Sequence, residues 1–229
     1  QPFMTHVDAV AQIVENEIGL PREAIATVYL HEASRKDPGL LDQIGRDFGN
    51  EIGMMVTGLN KISTINPTDT RLQADNYRKL IISYSADPRV TLIKLADRLH
   101  NLRNLEELPV EKRARNLGES MYVFAPLAHQ MGLYSIKSEI ENIWMKYAMP
   151  AEYREIEEKV KAETGRQGTE ITKTFLEPIK EILSGEGLKF SVSTRIKTPY
   201  SIWSKMKKRN VPFEEVFDLF ALRIVFIPE

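Results

Sequence analysis

Histidine and carboxylate residues in the first half of the chain have the chemistry of a metal site. They are His6, the adjacent pair His31 and Glu32, and Asp97. Imidazole and carboxylate together suit a borderline divalent metal such as manganese, iron or zinc. Asn101 follows Asp97 by four residues, so on a helix the two share one face and could bind a metal and a polar ligand side by side. Residue types alone leave a second interpretation open, in which all of them are ordinary helix residues.

A basic group near the other end of the chain has the chemistry of a phosphate site. Arg195 and Lys197 stand two apart at the end of a predicted strand, so they point the same way. The helix predicted next carries a single stripe made of Ser201, Lys205 and Lys208. Ser201 is predicted to cap this helix, whose free N–H groups favour an anion. The geometry suits a polyphosphate, and a solvated charged helix face is the simpler alternative.

The elements that carry the first group are predicted to be helical. From residue 6 to about 149 apolar positions recur at helical spacing, and strand alternation is missing. The polar stretch 60–70 predicts a loop between two helical blocks. A long helix is predicted over 117–147, with a break near Gly132 and an end at Pro150.

After residue 150 the pattern becomes mixed. The predicted helices are 152–163, 169–183 and 200–208. The predicted strands are 188–193 and 221–227. A lone β-branched strand needs partners to be stable, so we expect the chain to be a fragment of something longer. We predict two domains, 1–150 and 151–229.

Composition narrows the class of protein. The 31 basic and 32 acidic residues give a formal net charge of -1, so no overall field favours nucleic acid or an anionic membrane. The chain has no cysteine, which excludes disulfides and thiolate metal sites. No apolar run approaches the roughly 18 to 20 residues that span a bilayer, and the N-terminus is not a secretory signal. We therefore predict a cytoplasmic protein.

Segment 92–103, with the sequence LIKLADRLHNLR, closely resembles the part of RelA/SpoT homologues that carries the last metal-binding Asp of their HD domain. Segments 74–80 and 122–129 resemble the family's sequence before and after it. The resemblance implies an all-α, HD-domain-like helical bundle followed by an incomplete α+β domain of the nucleotidyltransferase type. It also implies a manganese site, whose ligands fall here on His6, His31, Glu32 and Asp97. Asn101 falls in the nucleotide pocket of that hydrolase.

The chain departs from the family's active hydrolases beside His31. Those enzymes have His-Asp and, two residues later, a Glu-Asp pair that handles the attacking water, whereas this chain has Glu32 and then Arg35 and Lys36. A like-charge pair at about 4 Å costs on the order of 4 kcal/mol at an effective dielectric of about 20, so metal binding should weaken. A protonated Arg or Lys cannot accept the proton of water. We expect an inactive hydrolase; the alternatives are surviving manganese-dependent ppGpp hydrolysis and a non-catalytic regulatory module.

Segment 190–209 resembles the start of the family's synthetase domain, where an Arg-x-Lys, a Tyr-Ser-Ile and a later Lys hold the ATP phosphates. The corresponding residues here are Arg195, Lys197, Ser201 and Lys205, and Lys208 extends the stripe. Thr194 replaces the Gly that the family usually has before the Arg. Asp218 falls on the family's magnesium-binding Asp.

The resemblance implies a GTP pyrophosphokinase, which transfers pyrophosphate from ATP to the 3′-hydroxyl of GDP or GTP and makes (p)ppGpp in the stringent response. Magnesium is the implied cofactor. The implied partners are ATP, GDP or GTP, and (p)ppGpp, with no membrane and no direct nucleic-acid contact. The family's catalytic Glu comes later than residue 229, so we expect the general base of the synthetase to lie outside these residues.

Overall fold

The computed structural model describes residues 3–37, 39–63 and 87–226, without the side chains of 3 and 166–173. The chain forms two compact units, Gln1–Ile143 and Trp144–Glu229. They divide inside a helix rather than at the predicted boundary of 150, because Trp144 and the residues after it pack in the core of the second unit.

The described residues of the first unit are helical and contain no strand, as the sequence predicts. The helices are α1 (Phe3–Gln12), α2 (Arg22–Lys36), α3 (Leu40–Phe48), α4 (Asn50–Ser63), α5 (Pro88–Arg103), α6 (Val110–Glu119), α7 (Ala125–Gln130) and α8 (Tyr134–Ala148). Two π-helical turns, Ile13–Ile18 and Ser120–Phe124, continue α1 and join α6 to α7. A 3₁₀ turn covers Leu105–Glu107.

Helix α5 holds the centre of this unit. The Asp87 side chain caps its N-terminus by accepting a hydrogen bond from the Arg89 N–H at 2.9 Å, and Pro88 occupies the first turn, where its missing N–H is not needed. Leu95 and Leu99 are fully buried, and α5 packs against α1, α2, α4 and α6. This packing brings Asp97 beside the two helices that carry His6 and His31.

The sequence predicts two interruptions of the helices in this unit, at Gly132 and over residues 60–70. The chain does break at Gly132, whose φ of 75° lies in the left-handed region that glycine adopts without strain. The predicted loop over 60–70 is wrong at its start, because α4 continues to Ser63 with Leu59 and Ile62 buried. The rest of that loop lies outside the described residues.

The second unit combines helices with a small sheet. Its elements are α9 (Pro150–Ile171), α10 (Glu177–Gly185), β1 (Phe190–Ile196), α11 (Pro199–Arg209) and β2 (Phe220–Phe226). A π-helical turn covers Thr172–Leu176, and a 3₁₀ turn covers Phe213–Glu215. This confirms the predicted class, a helical domain followed by a partial α+β domain.

Helix α9 corrects the sequence prediction at two points. Pro150 begins this helix as well as following the end of α8, because proline is tolerated in a helical first turn. The helix is also continuous across the gap predicted between 163 and 169. Thr164 fits inside it by donating its hydroxyl to the Val160 carbonyl, and one interior glycine such as Gly165 costs only about 1 kcal/mol.

The two strands pair antiparallel, with Ser193 opposite Arg223 and Arg195 opposite Ala221. The core of this unit is an apolar cluster around Met145, Ile202 and Leu219, so α11 is anchored by a fully buried Ile202. Across residues 3–37, 39–63 and 87–226, no helix has the length and apolar character needed to cross a membrane.

Candidate functional site

One small cavity in the first unit gathers the four residues predicted to bind the hydrolase metal. Its walls are formed by His6, Val7, Val10, Val28, His31, Glu32, Leu59, Ile93, Lys94 and Asp97. A cavity volume of about 20 Å³ leaves room for about one water-sized species. Three helices that are distant in sequence, α1, α2 and α5, therefore bring imidazole and carboxylate groups to one point.

The carboxylate of Asp97 is already well supplied with donors. It accepts hydrogen bonds from Lys94 Nζ at 2.8 Å and Asn101 Nδ2 at 3.1 Å, and it lies 3.3 Å from His6 Nε2. Burial alone would raise the pKa of Asp97, but the Lys94 charge and the His6 and Lys94 hydrogen bonds outweigh it and hold the pKa well below its ordinary value. Asp97 is thus ionised and paired.

The pKa values of the two histidines of the cavity are shifted in opposite directions. Hydrogen bonding to Asp97 raises the pKa of His6, whose Nδ1 lies 2.9 Å from Nδ1 of His100. Burial lowers the pKa of His31 to about 4, so this ring is neutral at pH 7. The buried Nδ1 of His31 has no hydrogen-bond partner among the described residues. His31 therefore keeps an unused polar atom beside the cavity.

Glu32 is held by the residue that departs from the family's pattern. Arg35, one turn later on α2, donates from its guanidinium to Glu32 Oε1 at 2.8 Å. Within residues 3–37, 39–63 and 87–226, no three His, Asp or Glu side chains are arranged so that they could hold a metal ion. The right donor types are close together, but their carboxylates point to internal cations.

In the second unit a carboxylate and two lysines form a compact ionic cluster. Lys197 Nζ donates to Asp218 Oδ2 at 2.5 Å, and Lys205 Nζ donates to Asp218 Oδ1. These two hydrogen bonds lower the pKa of Asp218 below its ordinary range. Three separate elements contribute, because Lys197 follows β1, Lys205 lies on α11 and Asp218 precedes β2.

The N-terminus of α11 lies at the same place, but its cap differs from the prediction. Thr198 is the N-cap residue, and its Oγ1 accepts a hydrogen bond from the Ser201 N–H at 3.4 Å. Ser201 is already inside the helix, so its hydroxyl lies 2.9 Å from Thr198 Oγ1 instead of capping the turn. Ser201 nevertheless lies in the first turn of α11, at the end of the helix where an anion is favoured.

Two known sequence profiles match this chain. The profile of the HD domain covers residues 1–134, and the profile of a region found in RelA and SpoT proteins covers residues 194–228. The chain belongs to the RelA/SpoT family. The two profiles fall on the cavity of the first unit and on the ionic cluster of the second.

RelA/SpoT proteins of several bacteria are similar along the whole chain. A guanosine-3′,5′-bis(diphosphate) 3′-pyrophosphohydrolase of Aquifex aeolicus is 34% identical over 231 residues, covering 100% of this chain and 33% of that protein. The bifunctional (p)ppGpp synthase/hydrolase SpoT of Escherichia coli K12 is 35% identical, covering 98% and 32%. The GTP pyrophosphokinase rsh of Brucella melitensis is 34% identical, covering 98% and 30%. The chain thus spans about a third of the length of these relatives.

The metals implied for the RelA/SpoT family fit the two sites differently. In the cavity, the donor types suit a divalent metal, as does the His31 nitrogen that has no partner among the described residues. Both carboxylates are bound by cations, however, so the residues as arranged do not fit the metal. Asp218 is also bound by two lysines, but it is 54% exposed and such pairs exchange partners at low cost, so its carboxylate fits magnesium, which is usually bound through one or two carboxylates together with substrate phosphates. Its two lysines are also the groups that phosphates would attract.

Some of the predicted phosphate residues stand apart from the cluster. Arg195 lies inside β1, exposed, one residue before the strand ends, and Lys208 is exposed further along α11. In the described part of the chain neither is among the residues bound to Asp218. Both therefore stay predictions as phosphate ligands.

Sequence reasoning missed two residues that the structure brings to the first site and one basic residue on the sheet face that carries Arg195. Lys94 and His100 lie three residues before and after Asp97, a helical spacing that could have identified both. Arg223 lies on the same face of the sheet as Arg195, because the register pairs it with Ser193 and side chains alternate along each strand. Only the register could reveal this second basic side chain.

Proposed function

We propose that this chain is part of a cytoplasmic GTP pyrophosphokinase, in which the second unit holds the phosphates of ATP and the first unit does not hydrolyse (p)ppGpp. The observation that carries the proposal is the cluster of Lys197, Lys205 and Asp218 at the N-terminus of α11. It combines two ammonium groups, one carboxylate and a helix N-terminus, which together suit a magnesium-bound polyphosphate. The names of the bacterial relatives support the same substrate class.

The cluster would act through position and charge. The ammonium groups of Lys197 and Lys205 neutralise negative charge that develops on the transferred phosphoryl oxygens, and Arg195 and Arg223 add positive charge on the adjacent sheet face. Asp218 holds the lysines in place before the nucleotide binds. Asp218 would also be the residue to hold magnesium, which would supply a further positive charge to stabilise the phosphates. Since the ion pairs are exposed, exchanging their partners costs little.

Among its described residues, 3–37, 39–63 and 87–143, the first unit lacks a group for the hydrolytic step. Where the family's active hydrolases carry two acidic residues, this chain has Arg35 and Lys36, whose cationic side chains offer no group that takes a proton from water. Glu32 is bound to Arg35 and Asp97 to Lys94, so both carboxylates are held by cations. We therefore assign no hydrolysis to this unit. Its role as a regulatory module stays a prediction.

Calorimetric titration of the purified chain with a non-hydrolysable ATP analogue and magnesium tests the phosphate site. We expect saturable binding that weakens steeply with salt, whereas adenosine, which has no phosphates, should bind far more weakly. Equal affinity for adenosine and the ATP analogue would refute the proposed phosphate contacts. In the longer protein, labelled phosphate should pass from ATP to GDP or GTP.

A second candidate function is surviving (p)ppGpp hydrolysis. The observation in its favour is that His6, His31 and Asp97 line one cavity, in which His31 is neutral and has a nitrogen without a partner among the described residues. Incubation with ppGpp and manganese tests it, with Asp97→Asn as the inactive reference. Pyrophosphate release above that reference would make the protein bifunctional, and release equal to it would leave synthesis as the proposed activity.

A further inference from the structure

The carboxylates of the cavity in the first unit are each matched by a cation from their own helix. Lys94 lies one turn before Asp97 on α5, and Arg35 lies one turn after Glu32 on α2, each at 2.8 Å. Two negative charges and two positive charges balance without any further ion. A dication added to this cavity would leave an excess of two positive charges in a small, partly buried space, which is strongly unfavourable.

The nitrogen ligands of a metal site are nevertheless still present. His31 is buried beside the cavity and has an Nδ1 atom without a hydrogen-bond partner among the described residues. Leaving such an atom unpaired costs about 1 to 3 kcal/mol, so packing alone gives no reason to keep a histidine there. His6 lines the same cavity, 3.3 Å from Asp97. The donors have not been replaced by apolar side chains.

The two internal cations differ in how firmly they are held. Lys94 is only 16% exposed, and its partner Asp97 is also bound by Asn101. Arg35 is 55% exposed, and its partner Glu32 is 17% exposed. Removing the Arg35 side chain would therefore free one carboxylate at the cavity wall without opening the core.

We propose that this cavity is a dormant metal site, one that keeps its ligands but is closed to divalent metal by Arg35, which acts as an internal counter-cation. Beyond the absence of hydrolysis, Arg35 alone then accounts for weak metal binding, and its replacement should restore that binding. The dormant site lies in the first unit, and metal binding there is measured separately from nucleotide binding in the second unit.

Binding of Mn²⁺ to the chain, followed by the electron paramagnetic resonance signal of the free ion, tests this. We expect Arg35→Gln to bind Mn²⁺ about tenfold more tightly than the parent, since a charge contribution of about 1.4 kcal/mol corresponds to that factor. Arg35→Glu, which adds a carboxylate, should bind more tightly still. Arg35→Lys keeps the charge and should bind as weakly as the parent. Arg46→Gln makes the same charge change at an exposed position of α3 and is the matched control.

The location of the metal is tested by adding Asp97→Asn to Arg35→Glu, which should abolish the gained binding. Gained binding that persists in this double variant would place the ion outside the cavity and overturn the proposal. The proposal would also be overturned if the parent bound Mn²⁺ as tightly as Arg35→Gln, or if Arg35→Gln and Arg35→Glu bound Mn²⁺ no more tightly than the parent. Thermal unfolding with and without Mn²⁺ monitors folding, and Arg35→Gln decides the matter if Arg35→Glu does not fold.

Discussion

Both sites contain an aspartate bound to lysine, and they differ mainly in burial. Asp97 in the first unit is 25% exposed and accepts from Lys94, whereas Asp218 in the second unit is 54% exposed and accepts from Lys197 and Lys205. An exposed ion pair contributes little to stability and can exchange its partner for a ligand at low cost. A buried pair strongly resists the loss of one partner. The same pairing of carboxylate and ammonium groups should therefore be harder to break in the first unit than in the second.

The largest effect should come from breaking a buried ion pair in the first unit. Glu119 is buried and accepts from Arg98 at 2.6 Å and from Arg115 at 2.7 Å. Glu119→Ala should lower the free energy of unfolding by about 3 to 5 kcal/mol, because Arg98 is left charged and buried. Urea unfolding followed by circular dichroism measures it, with the exposed Glu111→Ala as control. A loss below about 1 kcal/mol would contradict the contrast between buried and exposed pairs.

Acidification should weaken the first unit through His31. Its pKa is about 4 in the folded protein, compared with about 6.5 in the unfolded chain. Between these values the unfolded state binds a proton that the folded state does not, so stability is lost as the pH falls from about 6.5 to about 4, by up to about 3 kcal/mol. Urea unfolding as a function of pH should show a flatter profile for His31→Gln than for the parent, while the exposed His129→Gln should leave the profile unchanged.

Removing one lysine should weaken nucleotide binding in the second unit. A hydrogen bond to a charged group contributes about 1.5 to 3 kcal/mol, so Lys205→Ala should reduce affinity for the magnesium complex of an ATP analogue by about 10- to 150-fold. Lys207→Ala, on the same helix but exposed, is the matched control. Titration calorimetry gives both affinities, and an equal loss in the two variants would mean that the cluster does not contact the phosphates.

The smallest effect on stability should follow from Asp218→Asn. The ion pairs of Asp218 are exposed, so the free energy of unfolding should change by less than about 1 kcal/mol. Magnesium-dependent nucleotide binding, in contrast, should be lost. Comparing its urea unfolding curve with that of Asp97→Asn sharpens the contrast, because Asp97 is the better buried of the two. A larger loss of unfolding free energy for Asp218→Asn than for Asp97→Asn would contradict this difference between the two sites.

Local periodicity predicted most of the helices but erred where tertiary contacts decide. The break at Gly132 could be predicted because a single residue type permits its positive φ. The end of α4 and the continuity of α9 could not, since both helices continue through residues of low helix propensity. The N-cap of α11 is Thr198, three residues before the predicted Ser201, because both side chains are hydroxyls that can cap a helix and the residue types alone do not decide between them.

The sequence by itself determined the residue types of both sites, the family and the charge reversal at Arg35 and Lys36. Pairs one helical turn apart, such as Asp97 with Lys94, follow from spacing alone because the helix fixes their distance. Only the tertiary structure decided that His6 meets Asp97, and that Asp218 meets Lys197, 21 residues earlier. Contacts at such separations depend on how helices and strands pack, which spacing along the chain does not encode.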